Sequence, residues 1–146
     1  MTPPVVIIGA GLAGWTTARE FRKLDTTTPV VMVTADSGDF YAKPSLSNAF
    51  AQGRRPAQLV STPAATMADT LGVTLRPRTR VEAIDPAGQT VAIHDAGAAS
   101  VLAYRQLVLA TGALPIRVPL EGDAAHQVLS VNSLADFATF HGQLIT

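Results

Sequence analysis

Residues 5–14 read VVIIGAGLAG, an apolar run followed by the pattern GxGxxG. The run is continuously apolar and rich in β-branched residues, which is typical of a buried parallel strand, and a helix is predicted after it. In such a strand–turn–helix, Gly9 makes the tight turn, Gly11 lets a phosphate approach the backbone, and Gly14 lets the helix pack closely on the strand. The segment therefore predicts a site for the pyrophosphate of a dinucleotide at the positive end of a helix.

The context of this glycine motif matters, because glycine-rich turns also arise for structural reasons alone. A helix is predicted from Leu12 to Leu24, and the small residue Ala18 would let it lie close to the sheet. Val30–Val33 is predicted as a second buried strand, which completes a βαβ unit within the roughly 30 residues that such a unit needs. Trp15 is predicted to pack in the core. This context favours dinucleotide binding over a purely structural turn.

An acidic residue follows the second strand. Asp36 lies about 20 residues beyond Gly14, near where a ribose-binding carboxylate is expected. Its neighbours in the segment 37–39, Ser-Gly-Asp, equally suit a carboxylate that only forms a turn. Thr34 also occupies the place directly after the strand where an acid is common. The sequence leaves the ribose role and the turn role of Asp36 open.

The rest of the chain predicts an α/β fold with a second type of sheet. Short helices are predicted for 45–50, 63–71 and 133–141, and residues 107–109 are predicted to return to the parallel sheet. Four short strand-like pieces punctuated by turns predict an antiparallel meander. These pieces are Val73–Leu75, Thr79–Ile84, Thr90–His94 and Val101–Tyr104.

Composition excludes several classes of function. The 146 residues are 47% hydrophobic and 15% charged with a formal net charge of zero, so charge gives no reason to expect a nucleic acid or a membrane as partner. The chain has no cysteine, which excludes disulfides and thiolate chemistry within it. Its three histidines are dispersed, so we predict no metal site and no catalytic side chain. Without a signal-peptide pattern or a long apolar run, a cytoplasmic protein is expected.

Several segments together carry a resemblance to a known family. Besides the glycine motif near the start, residues 41–47 read YAKPSLS, 79–81 read TRV, 104–113 read YRQLVLATGA and 115–119 read PIRVP. In this combination the chain resembles the flavin-dependent pyridine nucleotide–disulfide reductase superfamily, and within it the branch of rubredoxin–NAD and ferredoxin reductases. The resemblance covers essentially the whole chain and implies a Rossmann-like FAD-binding domain.

The resemblance implies which residues would contact FAD. Ala35 and Asp36 would reach the adenosine ribose, and Val81 would meet the adenine through its backbone. The pyrophosphate would be held by the six residues of the motif: Gly9, Ala10, Gly11, Leu12, Ala13 and Gly14.

The flavin end of the cofactor involves other implied residues. Lys43 would lie beside the flavin, where a cation can stabilise the reduced ring, although a surface lysine in a polar loop is the alternative. Thr111 and Gly112 would pass close to the cofactor at the end of a strand. The implied parent reaction moves electrons from NAD(P)H through FAD to rubredoxin or a similar small iron protein. The redox cysteine pair of the disulfide branch is missing, so electrons would leave the flavin directly.

The resemblance also implies that the chain is part of a longer protein. Residues 1–112 would be the N-terminal segment of the FAD-binding domain, and 113–146 a linker and helix leading toward a missing NAD-binding domain. On this interpretation the chain alone is inactive. Two alternatives stay open: an NAD-binding Rossmann domain of a dehydrogenase, and a non-catalytic nucleotide-binding or assembly module.

Overall fold

The computed structural model describes residues 2–145. Its strands and helices are, in chain order, β1 (Val5–Ile8), α1 (Leu12–Leu24), β2 (Val30–Val33), α2 (Leu46–Ala49), α3 (Ala64–Leu71), β3 (Val73–Arg76), β4 (Arg80–Asp85), β5 (Thr90–Asp95), β6 (Ala98–Ala103), β7 (Gln106–Leu109) and α4 (Leu134–Leu144). Short 3-10 helices occupy Lys43–Ser45, Pro56–Leu59 and Ala125–Gln127. The predicted α/β class is confirmed.

The chain forms two compact units. The first contains the residues through Phe40 together with Thr62–Gly112, and the second contains Tyr41–Ser61 together with the residues from Ala113 onward. The sequence analysis divided the chain differently, into an FAD-domain segment 1–112 and a linker with a helix at 113–146. That division refers to the domains of a longer protein, and it stays a prediction. The structure adds that residues 41–61 group with the later part of the chain.

A four-stranded parallel sheet forms the centre of the first unit, in the order β3-β2-β1-β7. Val5 of β1 pairs with Val30 of β2 on one side and with Gln106 of β7 on the other. The prediction that 107–109 return to the parallel sheet is therefore confirmed. A second sheet, β4-β5-β6, is the antiparallel meander.

One predicted strand belongs to a different sheet from the one expected. The sequence analysis placed Val73–Leu75 in the meander, but β3 pairs in parallel with β2, with Val73 opposite Val30. The physical reason is the helix α3, which comes between β2 and β3 in the sequence. It returns the chain to the edge of the sheet at which β2 begins, so that β3 can run parallel to β2. Strand propensity alone does not reveal which partner a strand will have, so this prediction was wrong.

Alternate residues of β1 face two different cores, which explains its uninterrupted apolar sequence. Val5 and Ile7 pack with Trp15 and Ala18 of α1 in one buried cluster. Val6 and Ile8 pack in a second cluster with residues of β2, of β5 and of the turn between β6 and β7: Val33, Val91, Ile93 and Tyr104. Because both faces of the sheet are covered, no position of β1 is left for a polar residue.

Arg22 ties α1 to the end of α3. Its Nε donates to the carbonyl of Leu71 at 2.7 Å, and its Nη2 donates to that of Gly72 at 2.9 Å. Its Nη1 donates to the carbonyls of Thr28, at 2.7 Å, and Asp25. The guanidinium thus satisfies carbonyls at a helix end, where intrahelical partners are lacking. This arrangement fixes α1 against α3 and the turn that enters β2.

A carboxylate turn follows α1, and it predicts acid sensitivity. Hydrogen bonds from the hydroxyl and N–H of Thr28 and from the N–H of Thr27 hold the pKa of Asp25 well below its usual range. Because the folded-state pKa is depressed, its contribution to stability is present above about pH 4 and is lost as the pH falls through the folded-state pKa. We expect carboxyl-carbon NMR titration to find Asp25 still ionised at pH values where an ordinary aspartate is protonated. Asp25→Asn should flatten the acid dependence of unfolding, and an unchanged acid profile would contradict this role.

The second unit is organised around α4. Phe137 is buried there with Leu46, Ala49 and Leu59, and the partly buried Tyr41 packs against them. Within the part of the chain that the structure describes, no helix is long and apolar enough to cross a membrane.

Side-chain hydrogen bonds cap the start of α4, which gives a stability prediction. The hydroxyl of Ser133 accepts from the N–H of Asp136 at 3.1 Å, and the Asp136 carboxylate accepts from the N–H of Asn132 at 3.0 Å. Ser133→Ala should lower the free energy of unfolding of the second unit by about 1 kcal/mol. Urea unfolding followed at α4 amides measures the change, and Ser133→Thr, which keeps the hydroxyl, should behave much like the wild type. A neutral alanine variant would show that the cap contributes nothing.

Candidate functional site

The predicted contact residues of the first unit gather at one edge of the parallel sheet. Gly9 follows β1, the segment 34–36 follows β2, and Thr111 lies two residues past the end of β7. Because parallel strands end at the same edge, these three loops share it, and ligands of such sheets bind at this edge.

Gly9 forms the turn that the sequence predicted, and the structure shows why only glycine fits. Its φ is +107°, and a Cβ there would overlap the carbonyl oxygen of Ala110. The N–H of Gly9 donates to Val33 O at 2.8 Å, while Ala110 N–H donates to Ile8 O at 2.8 Å. The turn is therefore wedged between the ends of β2 and β7, with no room for a side chain.

Gly14 lets α1 approach the turn. It is buried, and a Cβ there would overlap the carbonyl oxygen of Gly9 and lie 3.6 Å from Cγ2 of Ile7. The obstacle is backbone, which cannot move aside as a flexible side chain would. The predicted role of Gly14 in close helix–strand packing is in agreement with this geometry.

Gly11, unlike Gly9 and Gly14, has open space where a side chain would be. It is the N-cap residue of α1 with ordinary extended backbone (φ −80°, ψ −166°), and a Cβ there would meet no atom of residues 2–145 within 4 Å. No described side chain caps this helix end, and its first turn carries no acidic residue. The N–H groups of Leu12 and Ala13 are therefore left for an external acceptor, since the first N–H groups of a helix have no intrahelical partner. An open surface of unpaired N–H groups at a helix N-terminus fits a pyrophosphate.

Asp36 adopts the turn role that the sequence left open as one of two alternatives. Its Oδ1 accepts from the hydroxyl of Thr34 at 2.7 Å and from the N–H of Gly38 at 2.9 Å, so the carboxylate does form a turn. Its Oδ2 has no hydrogen-bond partner among the described residues, and the side chain is exposed. Ala35 is exposed beside it. The turn role therefore leaves one oxygen for a ligand, and the ribose role stays a prediction.

Backbone hydrogen bonds bring the start of β4 to the end of β2. Arg78 N–H donates to Asp36 O at 2.8 Å, and Thr79 N–H donates to Thr34 O at 2.9 Å. Val81 follows two residues later in β4 and is half-buried. Its strand begins beside the Asp36 loop, and its contact with adenine stays a prediction.

Thr111, Gly112 and Lys43 complete the predicted set. Thr111 and Gly112 are exposed and follow Ala110, whose carbonyl lies against Gly9; the φ of Gly112 is +70°. Lys43 is exposed and begins the 3-10 helix Lys43–Ser45 of the second unit. Its predicted role beside the flavin stays a prediction.

Sequence reasoning missed the residues that hold this site in place. Trp15 is fully buried, as predicted, but its indole Nε1 also donates to Gly38 O at 2.9 Å. Thr34 is buried and donates a hydrogen bond to Asp36. The sequence analysis considered position 34 only as an alternative location for an acidic residue. The spacing Thr34-x-Asp36-x-Gly38 was the available signal, because aspartate side chains commonly bond to the backbone two residues on.

Comparison with known proteins decides the family. A family model described as pyridine nucleotide-disulphide oxidoreductase matches residues 3–145. The chain belongs to this family. The resemblance that the sequence analysis drew from the glycine motif and the later segments is therefore confirmed.

Relatives within the pyridine nucleotide-disulphide oxidoreductase family are similar over nearly the whole chain. The rubredoxin-NAD(+) reductase of Alcanivorax borkumensis is 44% identical over 137 residues, and that of Acinetobacter baylyi is 40% identical over 141 residues. These alignments cover 94% and 97% of this chain but only 35% and 36% of the relatives. The chain thus spans about a third of the length of the curated relatives that it matches.

A solved structure supports the same family and fold. The covalent putidaredoxin reductase–putidaredoxin complex contains a chain that matches with a TM-score of 0.80 at 29% identity. The match covers 97% of this chain and 34% of the other. The putidaredoxin reductase complex therefore contains the same arrangement of a parallel sheet with an antiparallel meander.

Proposed function

We propose that this chain forms the FAD-binding part of a cytoplasmic, NAD(P)H-dependent flavoprotein reductase that delivers electrons to rubredoxin or a similar small iron protein. The observation that carries the proposal is the open helix end at Gly11, built by the close packing of Gly9 and Gly14. The rubredoxin-NAD(+) reductases named above, which match almost the whole chain, support the choice of activity.

The chain's own residues would hold the cofactor by its adenosine diphosphate half. The N–H groups at the start of α1 would bind the pyrophosphate, with the helix dipole favouring its negative charge. Oδ2 of Asp36 would accept from the ribose, Ala35 would lie beside it, and the backbone of Val81 would meet the adenine. FAD, when bound, supplies hydride acceptance and single-electron donation.

Three further residues are proposed near the flavin half. Lys43 would place a positive charge there, and Thr111 and Gly112 would pass near the cofactor after β7. The resemblance of the segments 41–47 and 104–113 to motifs of the family supports these proposed roles.

Ligand titration tests the proposed cofactor. We expect FAD to shift the amide NMR signals of the segment 9–14 and of Asp36 in a saturable way, with weak affinity. Riboflavin, which lacks the adenosine diphosphate half, should leave these signals unchanged, and ADP should compete with FAD. Shifts produced equally by riboflavin, or no saturable shifts by FAD, would refute the assignment.

A chimera tests the proposed reaction. This chain would replace the matching segment of the Alcanivorax borkumensis rubredoxin-NAD(+) reductase, and NADH-dependent rubredoxin reduction would be measured. We expect the chimera to retain FAD and to be active, whereas the chain alone should not oxidise NADH, because hydride transfer requires an enclosed and oriented site. A folded chimera that binds no FAD would contradict the proposal, and turnover by the chain alone would contradict its expected inactivity.

A further inference from the structure

Thr34 is a buried polar residue at the end of β2. The residue is 7% exposed, and its hydroxyl donates to Oδ1 of Asp36 at 2.7 Å. Both backbone polar groups of Thr34 are bonded, because its N–H donates to Arg76 O at 3.0 Å and its carbonyl accepts from Thr79 N–H at 2.9 Å. The hydroxyl that contacts the carboxylate is therefore held by the sheet and by the turn into β4.

A second donor contacts the same carboxylate oxygen. Gly38 N–H donates to Oδ1 of Asp36 at 2.9 Å, and Gly38 O accepts from the indole of Trp15 at 2.9 Å. Trp15 is fully buried, so this donor is connected to the core. Two anchored donors thus hold Oδ1, while Oδ2 has no partner within residues 2–145.

We infer that Thr34 is a positioning residue for the adenosine ribose. Its hydroxyl fixes the carboxylate of Asp36 so that Oδ2 is presented as the acceptor for a ribose hydroxyl. The inference rests on the proposed function, since it requires a dinucleotide at this site. An exposed aspartate would otherwise lose rotamer freedom on binding, and a carboxylate that is already fixed avoids this loss.

A purely structural role for Thr34 makes a different prediction. A buried hydroxyl needs a hydrogen-bond partner, and Asp36 supplies one whether or not a ligand binds. If that were its only function, removal of the hydroxyl would disturb the loop and affect all ligands alike. A positioning role affects only the ligands that carry the ribose hydroxyls.

The experiment compares two ligands and three variants of the full chain. ADP and 2′,3′-dideoxy-ADP share the adenine and the pyrophosphate but differ in the ribose hydroxyls, and both affinities are read from amide NMR shifts. Thr34→Val replaces the hydroxyl by a methyl group of similar size, and Thr34→Ser keeps the hydroxyl. Thr70→Val is the matched control, because the Thr70 hydroxyl bonds to Thr66 O in the exposed part of α3.

We expect Thr34→Val to weaken ADP binding about fivefold to tenfold and dideoxy-ADP binding less than about twofold. Thr34→Ser and Thr70→Val should stay within about twofold of the wild type for both ligands. Equal losses for both ligands, or no loss for ADP, would overturn the inference while leaving the proposed function standing. A wild-type chain with no affinity for ADP would refute the proposed function itself.

Discussion

Replacing Gly14 by alanine is expected to lower the free energy of unfolding of the first unit by about 3 kcal/mol or more. The added Cβ would overlap the carbonyl oxygen of Gly9 and would lie 3.6 Å from Cγ2 of Ile7. Relief requires α1 to move away from β1. That movement would open the core cluster in which Trp15 and Ala18 are fully buried.

Urea unfolding followed by far-ultraviolet circular dichroism and Trp15 fluorescence measures this loss. The matched control is Gly11→Ala, the same chemical change three residues earlier in the same turn. There the new Cβ meets open space, so the loss should be about 1 kcal/mol, the usual disadvantage of alanine at an N-cap. Similar unfolding curves for both variants would show that the close approach of α1 to the turn does not limit stability.

Gly11→Ala should instead remove most of the affinity for FAD. Its backbone is in an ordinary extended conformation, and beyond the adjacent residues no atom of the described chain lies within 4 Å of the new Cβ. The fold therefore tolerates the change. In the proposed function, the pyrophosphate approaches the N–H groups of α1 through the open space beside Gly11. Loss of charge-assisted hydrogen bonds there predicts a roughly tenfold to hundredfold weaker affinity.

Equilibrium dialysis with FAD measures this affinity for folded protein. Gly142→Ala provides the control, because Gly142 lies in α4 and a Cβ there also meets no atom of residues 2–145 within 4 Å. That variant should bind FAD as the wild type does. Unchanged FAD affinity in Gly11→Ala would mean that the ligand does not approach Gly11, and the pyrophosphate site would have to be sought elsewhere.

The elements at the start of the chain could be predicted from the sequence with their observed bounds. β1, α1 and β2 begin and end where the apolar runs, the glycines and the Asp25 break indicate. These signals are local, because each strand is buried on both faces and each break is made by residues next to it. The turn geometry of Gly9 and the close helix packing at Gly14 were predictable for the same reason.

The partners of later elements could not be predicted in this way. β3 reads as a short strand like those of the meander, yet it pairs with β2 because α3 reverses the chain before it. Residues 41–61 group with the later part of the chain through the apolar cluster around Phe137. Both results depend on contacts between residues far apart in the sequence.

The combination of the glycine motif with the segments 41–47, 79–81, 104–113 and 115–119 made the pyridine nucleotide-disulphide oxidoreductase family recognisable in the sequence. The sequence by itself also determined the glycine motif and the strand–turn–helix around it. The reason is that a tight turn, a close helix approach and a phosphate contact each require glycine at a set position. Only the tertiary structure decided how Asp36 is held. Its carboxylate is fixed by Thr34 and by a glycine anchored to Trp15, and these residues meet because the sheet and the core bring them together.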